Sequence, residues 1–157
     1  MALEEGEKIP AVSLDGTDGQ PVALADKVGR PFVLYFYPKD DTSGCTREAQ
    51  DFSALLPEFA ALGAEVLGVS KDPPAKHQKF IDKYDLTVPL ATDASGAAME
   101  AFGVWVEKQL YGKRYMGIDR STFLFDAEGK LFRMWRKVRV PGHAVDVLES
   151  IKEMQAR

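Results

Sequence analysis

Residues 31–50 read PFVLYFYPKDDTSGCTREAQ, and this stretch contains both the strongest strand signal and the only cysteine of the chain. Its first part, PFVLYFYP, is a nearly continuous run of aromatic and β-branched residues, as is typical of a strand buried on both faces in a parallel sheet. Pro38 cannot donate a ladder hydrogen bond, so it marks the end of this strand. The polar residues that follow predict a loop leading into a helix near Ser43.

The predicted helix extends from about Ser43 to Leu62. Apolar residues recur within it at intervals of three and four, which is the period of a helix with one buried face. They are Phe52, Leu55, Leu56, Phe59 and Leu62. Strand, polar loop and amphipathic helix therefore follow one another across the cysteine.

Strands and helices alternate along the rest of the chain. Towards the amino terminus, AVSL and PVAL flank GTDGQ and predict a hairpin. Beyond the first helix, the predicted segments are the strands AEVLGVS and VPLATD, the helices PPAKHQKFIDKY and SGAAMEAFGV, the strands STFLFD and KLFRMWRKV, and a helix over 143–154. This order favours an α/β, thioredoxin-like fold: a central mixed β-sheet flanked by helices, with an N-terminal β-hairpin, as a single domain over 1–157.

Composition and charge limit the partners. The 157 residues are 45% hydrophobic and 28% charged, as in an ordinary globular protein. A formal net charge of -4 gives no general attraction to nucleic acid or to an anionic membrane, so neither is an expected partner. The apolar runs are too short to span a bilayer and the amino terminus is acidic, which together predict a cytoplasmic protein.

Cys45 falls in the first turn of the predicted helix. Unpaired N–H groups and the positive end of the helix dipole favour an anion there, and the thiolate is the nucleophilic form of cysteine. Gly44 has no side chain, so the backbone or a small substrate can approach closely. The hydroxyl of Thr42 can cap the helix or face the sulfur. Because the preceding residues are polar, we interpret Cys45 as a reactive thiol rather than an inert core residue.

Metal and nucleotide sites are not predicted. His77 lies in a lysine-rich segment and His143 at a helix start, so both are expected at the surface. One cysteine and two distant histidines make no metal site, and the sequence contains no glycine-rich phosphate-binding loop. No cofactor is expected.

Pro38, Thr42 and Cys45 form the pattern P-x-x-x-T-x-x-C. The longer string FYPKDDTSGCTREA resembles the active-site loop of the peroxiredoxins, specifically the bacterioferritin comigratory protein or Q-type subfamily. The segments LGVSKDPPAKHQKFIDKY and FGVWVEKQLYGKRYMGIDRSTFLFDAEGKL resemble later parts of the same subfamily. The resemblance implies a thiol-dependent peroxidase that reduces hydrogen peroxide and small organic hydroperoxides through a Cys45 sulfenic acid.

The resemblance also implies roles for individual residues. Arg120, in IDRSTF, matches the active-site arginine of the family and would stabilise the Cys45 thiolate and the departing oxygen. The Thr42 hydroxyl would accept a hydrogen bond from the peroxide, and Pro38 would shield the sulfur from water. Glu48, one turn after the cysteine, would hold an arginine in place. Taken singly, Arg120 is explained as a surface cation, Thr42 as a helix cap and Pro38 as a strand terminator.

The sequence departs from the subfamily pattern at two positions. Gln50 stands where many members carry a resolving cysteine, and Ser43 stands where proline is usual. With no second cysteine, the sulfenic acid must be reduced by an external thiol: a thioredoxin, a glutaredoxin or a low-molecular-weight thiol. Gln50 is either natural or an engineered replacement, and the absence of any other cysteine favours the former. A monomer is expected, with a dimer as the alternative.

Three other functions compete with the peroxidase hypothesis. A peroxide sensor or thiol-relay protein would use Cys45 without efficient turnover. A disulfide reductase is disfavoured because the sequence has no C-x-x-C motif. A thioredoxin-fold binding module would keep the loop without its reactivity.

Overall fold

The computed structural model describes residues 3–157. Its strands are β1 Ser13–Gly16, β2 Pro21–Ala23, β3 Phe32–Phe36, β4 Glu65–Ser70, β5 Leu90–Thr92, β6 Trp105–Leu110, β7 Lys113–Ile118, β8 Ser121–Phe125 and β9 Leu131–Trp135. Its helices are α1 Ser43–Ala61, α2 Pro74–Tyr84, α3 Ala97–Phe102 and α4 His143–Gln155. The predicted alternation of strands and helices is thus confirmed.

A seven-stranded mixed sheet has the strand order β2-β1-β5-β4-β3-β8-β9. Strand β3 lies in the interior of the sheet, because it pairs in parallel with β4 and antiparallel with β8. All five residues of β3 are buried, as the continuous apolar run predicts. The predicted N-terminal hairpin is also confirmed: β1 pairs with β2 and joins the sheet by pairing antiparallel with β5.

Alternate residues of β3 enter two apolar clusters on opposite faces of the sheet. Val33 and Tyr35 pack with residues of α1, α2 and α4 on one face. Phe32, Leu34 and Phe36 pack with residues of α3 on the other. Since successive strand residues point to opposite faces, the helices cover both sides of the sheet and complete a thioredoxin-like α/β fold.

The hairpin of β6 and β7 is a feature that the sequence patterns did not predict. Six residue pairs, from Trp105↔Ile118 to Leu110↔Lys113, form its ladder. Most of its side chains are exposed. Its sequence therefore lacks the alternation of apolar and polar residues that marks a half-buried strand. Its pairing depends on backbone hydrogen bonds rather than on a buried face.

No helix within residues 3–157 combines the length and the apolar character needed to cross a membrane.

Candidate active site

Cys45 lies at the amino-terminal end of α1, just beyond the loop that follows β3. The first α-helical hydrogen bond is donated by Thr46 N–H to the Thr42 carbonyl, at 2.8 Å. The N–H of Cys45 precedes this bond and therefore has no carbonyl partner one turn back within the helix. The side chain of Cys45 is nevertheless only 2% exposed. Its sulfur thus lies in the first turn of the helix in a nearly closed position.

Arg120 connects the cysteine to a buried acid. Its Nη2 donates to Cys45 Sγ at 3.3 Å, and its Nη1 donates to Glu48 Oε1 at 2.7 Å. Arg120 immediately precedes β8, and Ser121 is paired with Phe36 at the end of β3. The antiparallel pairing of β8 with β3 therefore brings Arg120 to the loop that carries Cys45.

Gly44 leaves space for this arginine. A Cβ atom built on Gly44 would lie 3.2 Å from Arg120 Nη2, closer than ordinary van der Waals contact. The sequence predicted close approach by the backbone or a substrate, and the structure places the guanidinium there.

Burial and neighbouring charges together set the protonation states of Glu48 and Arg120. Burial raises the pKa of Glu48 to about 7, against the opposing effect of Arg120. Burial alone would lower the pKa of Arg120, but the nearby Glu48 and Cys45 outweigh that effect and raise it. Arg120 therefore stays positive, whereas the Glu48 carboxyl changes its charge around neutral pH. Near neutral pH Glu48 offsets only part of the positive charge that Arg120 presents to the sulfur.

Thr42 occupies the N-cap position of α1, but its side chain makes no capping hydrogen bond. Its hydroxyl donates instead to the Lys39 carbonyl, at 2.9 Å. A hydroxyl that donates its single hydrogen keeps its lone pairs as acceptors. Thr42 and Pro38 are both exposed, at either end of the same loop.

Gln50 and Cys45 lie on different sides of α1. Gln50 is exposed and Cys45 is buried. Five residues at 3.6 per turn separate the two side chains by roughly 140° around the helix axis. Arg47, also exposed, forms an ion pair with Asp51 at 3.1 Å and points away from the sulfur.

His77 is buried, so its predicted surface position is wrong. Its Nδ1 lies 2.7 Å from Asp40 Oδ2, and its Nε2 lies 3.0 Å from the Ala91 carbonyl. A carbonyl only accepts, so Nε2 carries a hydrogen, and one further proton joins Nδ1 to the carboxyl of Asp40. The Tyr37 hydroxyl donates to the same carboxyl. This network ties α2 and β5 to the loop that leads to Cys45.

The burial of His77 could have been predicted from the sequence. Phe80 follows it by three residues, and the two side chains lie on the buried face of α2. The spacing of three could have placed His77 on the apolar face of the helix despite the surrounding lysines.

His143 is buried as well, which corrects the second histidine prediction. Its Nε2 lies 2.8 Å from Thr122 Oγ1. Its ring packs edge-on against Trp135 and Phe52, with centroid distances of 5.6 Å and 6.1 Å. The first turn of α4 therefore faces the sheet beside Arg120. Within residues 3–157, no group of three or more His, Cys, Asp or Glu side chains is arranged to hold a metal ion.

Replacing His77 with alanine should destabilise the protein by roughly 3 to 5 kcal/mol, because the carboxyl of Asp40 would lose one of its two buried side-chain partners. Urea unfolding followed by circular dichroism measures this loss. Lys79→Ala is the matched control, since Lys79 is an exposed residue of the same helix. A loss for His77→Ala no larger than that of the control would contradict the structural role of the network.

His143 should make the folded state sensitive to acid. Burial lowers the pKa of His143 from 6.5 to about 4, so the folded protein keeps the ring neutral where the unfolded chain protonates it. Acidification from ~pH 7 to ~pH 5 therefore favours unfolding, by about 2 kcal/mol from this residue. The raised pKa of Glu48 acts with the opposite sign, so the readout is a comparison of variants.

The variant for that comparison is His143→Gln, whose amide can still hydrogen-bond to Thr122. Its unfolding free energy should fall less than that of the wild type, by about 2 kcal/mol, over the same pH interval. Equal losses in both proteins would show that His143 does not control the acid response.

The chain is similar to known proteins in both sequence and structure. The sequence pattern described as the AhpC/TSA family matches residues 6–134. Peroxiredoxin Bcp of Bacillus subtilis is 47% identical over 157 residues, covering 100% of both chains.

Solved structures agree with this match. The bacterioferritin comigratory protein of Xanthomonas campestris, studied for its alkyl peroxide reduction activity, is 43% identical with a TM-score of 0.89, covering 96% of this chain and 99% of that one. A Cys→Ser mutant of a peroxiredoxin Q from Xylella fastidiosa is 36% identical with a TM-score of 0.93, covering 99% of each chain.

Proposed function

This chain belongs to the AhpC/TSA family and is a peroxiredoxin of the Bcp or Q type, and from that premise we propose that Cys45 is its peroxidatic cysteine. The protein is a thiol-dependent peroxidase, and its single cysteine fits a one-cysteine mechanism. The observation that supports the assignment most strongly is the contact of Arg120 with both Cys45 Sγ and Glu48.

In the proposed reaction, the Cys45 thiolate attacks one peroxide oxygen. A sulfur–oxygen bond forms, the oxygen–oxygen bond breaks, and the electron pair of that bond moves to the departing oxygen. Protonation then releases water from hydrogen peroxide or an alcohol from an organic hydroperoxide. The cysteine is left as a sulfenic acid.

Each neighbouring residue has a proposed part in this step. Arg120 stabilises negative charge on the sulfur and on the departing oxygen, where charge develops in the transition state. Thr42 accepts a hydrogen bond from the peroxide with the lone pairs that its bond to Lys39 leaves available. The free N–H of Cys45 donates to the bound peroxide. Glu48 positions Arg120, with Gly44 giving it room.

The proposed substrates are hydrogen peroxide and small organic hydroperoxides. Cys45 is almost completely buried, so only a narrow opening can admit the reacting oxygen. We propose that this opening lies beside Pro38 and Thr42, which are exposed residues of the preceding loop. Such an opening favours small peroxides. Pro38 would limit the access of water to the sulfur at the same position.

The reduction half of the cycle needs thiols from outside the chain. One thiolate attacks the sulfur of the Cys45 sulfenic acid, expels hydroxide and forms a mixed disulfide. A second thiolate attacks that disulfide and returns Cys45 to its thiolate. The net change is two thiols oxidised to one disulfide for each peroxide reduced.

A rapid-mixing experiment tests the proposed function. One equivalent of hydrogen peroxide should oxidise Cys45 far faster than it oxidises free cysteine. Tryptophan fluorescence measures the rate, and mass spectrometry should show the addition of one oxygen atom. Continuous turnover should then require an added thiol. Cys45→Ser gives the blank.

Two results would contradict the proposal. A rate like that of free cysteine would rule out a peroxidase site. Fast oxidation without turnover by any thiol would favour the peroxide sensor or relay protein instead.

We also propose a cytoplasmic location and a monomeric state. A thiol that must return to its reduced form favours the cytoplasm, which is a reducing compartment. We expect one domain, because both apolar clusters share the same sheet. We expect a monomer, and light scattering after size-exclusion chromatography would reveal a dimer formed through exposed hairpin side chains such as Leu110 and Tyr111.

A further inference from the structure

A basic stretch occupies residues 130–145, in a chain whose formal net charge is -4. Five basic residues and no acidic residue occur there. They are Lys130, Arg133, Arg136, Lys137 and Arg139. The last three lie at the end of β9 and in the loop that leads to α4. Three positive charges therefore lie close together in one loop of an acidic protein.

An open cleft of about 520 Å³ lies along this loop. Its lining includes Arg136, Lys137, Arg139, His143 and one acidic residue, Asp146. Clefts of this size accommodate small-molecule ligands. The carboxylate of Asp146 already accepts a hydrogen bond from Trp135 Nε1, at 3.0 Å.

The three basic residues are used differently. Arg136 donates to the carbonyls of Phe102 and Gly103, at 3.0 Å and 3.2 Å, and so anchors the loop. Lys137 and Arg139 are exposed, and neither forms an ion pair with any residue of the described chain. Two cations on the cleft are thus available to a ligand.

The cleft is adjacent to the proposed peroxidatic site. Val138 N–H donates to the Arg120 carbonyl at 2.9 Å, so the basic loop is attached to the residue that contacts Cys45. His143 lines the cleft and contacts Thr122, two residues after Arg120 along the chain. The Cα atoms of residues two apart along a chain are at most about 7 Å apart. A ligand in the cleft would therefore lie close to the Arg120 side chain.

We propose that this cleft binds the carboxylates of an acidic low-molecular-weight thiol and places its sulfur next to the Cys45 sulfenic acid. This inference rests on the proposed function, because it names the class of external thiol that the one-cysteine cycle consumes. Lys137 and Arg139 pair with the carboxylates by charge-assisted hydrogen bonds. The thiolate attacks the sulfenic sulfur, the sulfur–oxygen bond breaks, and hydroxide leaves as the mixed disulfide forms.

The net charge of the protein opposes the predicted preference for an anionic thiol. A net charge of -4 repels anionic thiols and favours thiols without carboxylates. A faster reaction with the anionic thiol would therefore have to come from a local positive site. Raising the ionic strength should weaken that advantage, because exposed charge pairs are screened by salt.

The test uses the full chain, oxidised with one equivalent of hydrogen peroxide and verified as sulfenic acid by mass. It is then mixed with glutathione or with glutathione diethyl ester, which has the same thiol but no free carboxylate. Formation of the mixed disulfide is followed by rapid quenching and mass spectrometry. Glutathione should react roughly tenfold faster than its ester, as expected from two exposed charge contacts.

Charge reversal identifies the residues responsible. The double variant Lys137→Glu/Arg139→Glu should lose the advantage of glutathione over its ester. The matched control is Lys79→Glu/Lys113→Glu, which changes the net charge equally at exposed positions outside the cleft lining and should keep the advantage. Circular dichroism verifies that both double variants are folded.

The outcomes separate this inference from the proposed function. A sulfenic acid that forms but reacts equally with glutathione and the ester, or an equal loss in both double variants, would overturn the cleft assignment alone. Fast reduction by a thioredoxin with no preference between the two small thiols would also overturn it. A wild-type protein that forms no sulfenic acid would overturn the proposed function and this inference together.

Discussion

Replacing Arg120 with alanine should lower the second-order rate constant for oxidation of Cys45 by hydrogen peroxide roughly 100- to 1000-fold. The variant removes the donor that lies 3.3 Å from the sulfur. It also removes the positive charge that would stabilise the departing oxygen. Because the guanidinium is fixed by Glu48 before the peroxide arrives, it stabilises the transition state without reorganisation. Rapid mixing with peroxide, monitored by tryptophan fluorescence, measures the rate.

A second variant separates the missing charge from a disturbed site. Arg120→Ala leaves the Glu48 carboxyl buried without its partner, which could shift the neighbouring loop. The double variant Arg120→Ala/Glu48→Gln replaces that carboxyl by a neutral amide. Equal rates in the single and double variants would assign the loss to the guanidinium itself.

Two further variants, Arg120→Lys and Arg47→Ala, test whether the geometry of Arg120 matters and whether any arginine near the site would do. Lysine keeps the charge but cannot contact Cys45 and Glu48 through two fixed nitrogens, so an intermediate rate is expected. Arg47 is exposed and pairs with Asp51, so its loss should change the rate less than about twofold. If Arg120→Ala were as fast as Arg47→Ala, the proposed role of Arg120 would be wrong.

Replacing Thr42 with valine should slow the same oxidation roughly 100-fold. Valine has a similar shape but no oxygen, so the peroxide would lose the acceptor that orients it. Thr42→Ser keeps the hydroxyl and should retain most of the rate. Both variants are measured by rapid mixing over a range of hydrogen peroxide concentrations.

The helix-cap explanation of Thr42 predicts a different result. Loss of a capping side chain costs about 1 kcal/mol of stability and need not affect the chemistry. The Thr42 hydroxyl donates to Lys39 and makes no capping bond, so we expect the rate to change more than the unfolding free energy. A normal rate in Thr42→Val with a lower melting temperature would support the cap instead.

Local patterns in the sequence determined much of this protein. The apolar run of residues 31–38 predicted a strand buried on both faces, because only such a strand has no polar side to expose. The polar loop and the spacing of apolar residues after it together predicted the first helix to within a residue at each end. The position of Cys45 in its first turn followed from that boundary. The presence of one cysteine excluded an internal disulfide without any structure.

Tertiary structure decided which distant residues meet. From its own neighbours, Arg120 was a cation at the start of a strand, and only the family resemblance placed it near the cysteine. The antiparallel pairing of β8 with β3 brings it to Cys45, 75 residues away. The burial of His77 and His143 likewise depends on partners from other segments, Asp40 and Thr122.

The sequence predicts local structure better than distant contacts because the two depend on residues at different separations along the chain. Hydrophobic periodicity and helix boundaries depend on residues within a few positions, so a sequence shows them directly. Hydrogen bonds of buried polar groups depend on strand order and helix packing, which bring together residues far apart in the chain. The position of Cys45 in the first turn of a helix was therefore visible in the sequence, whereas the charges and hydrogen bonds around it were set by the fold.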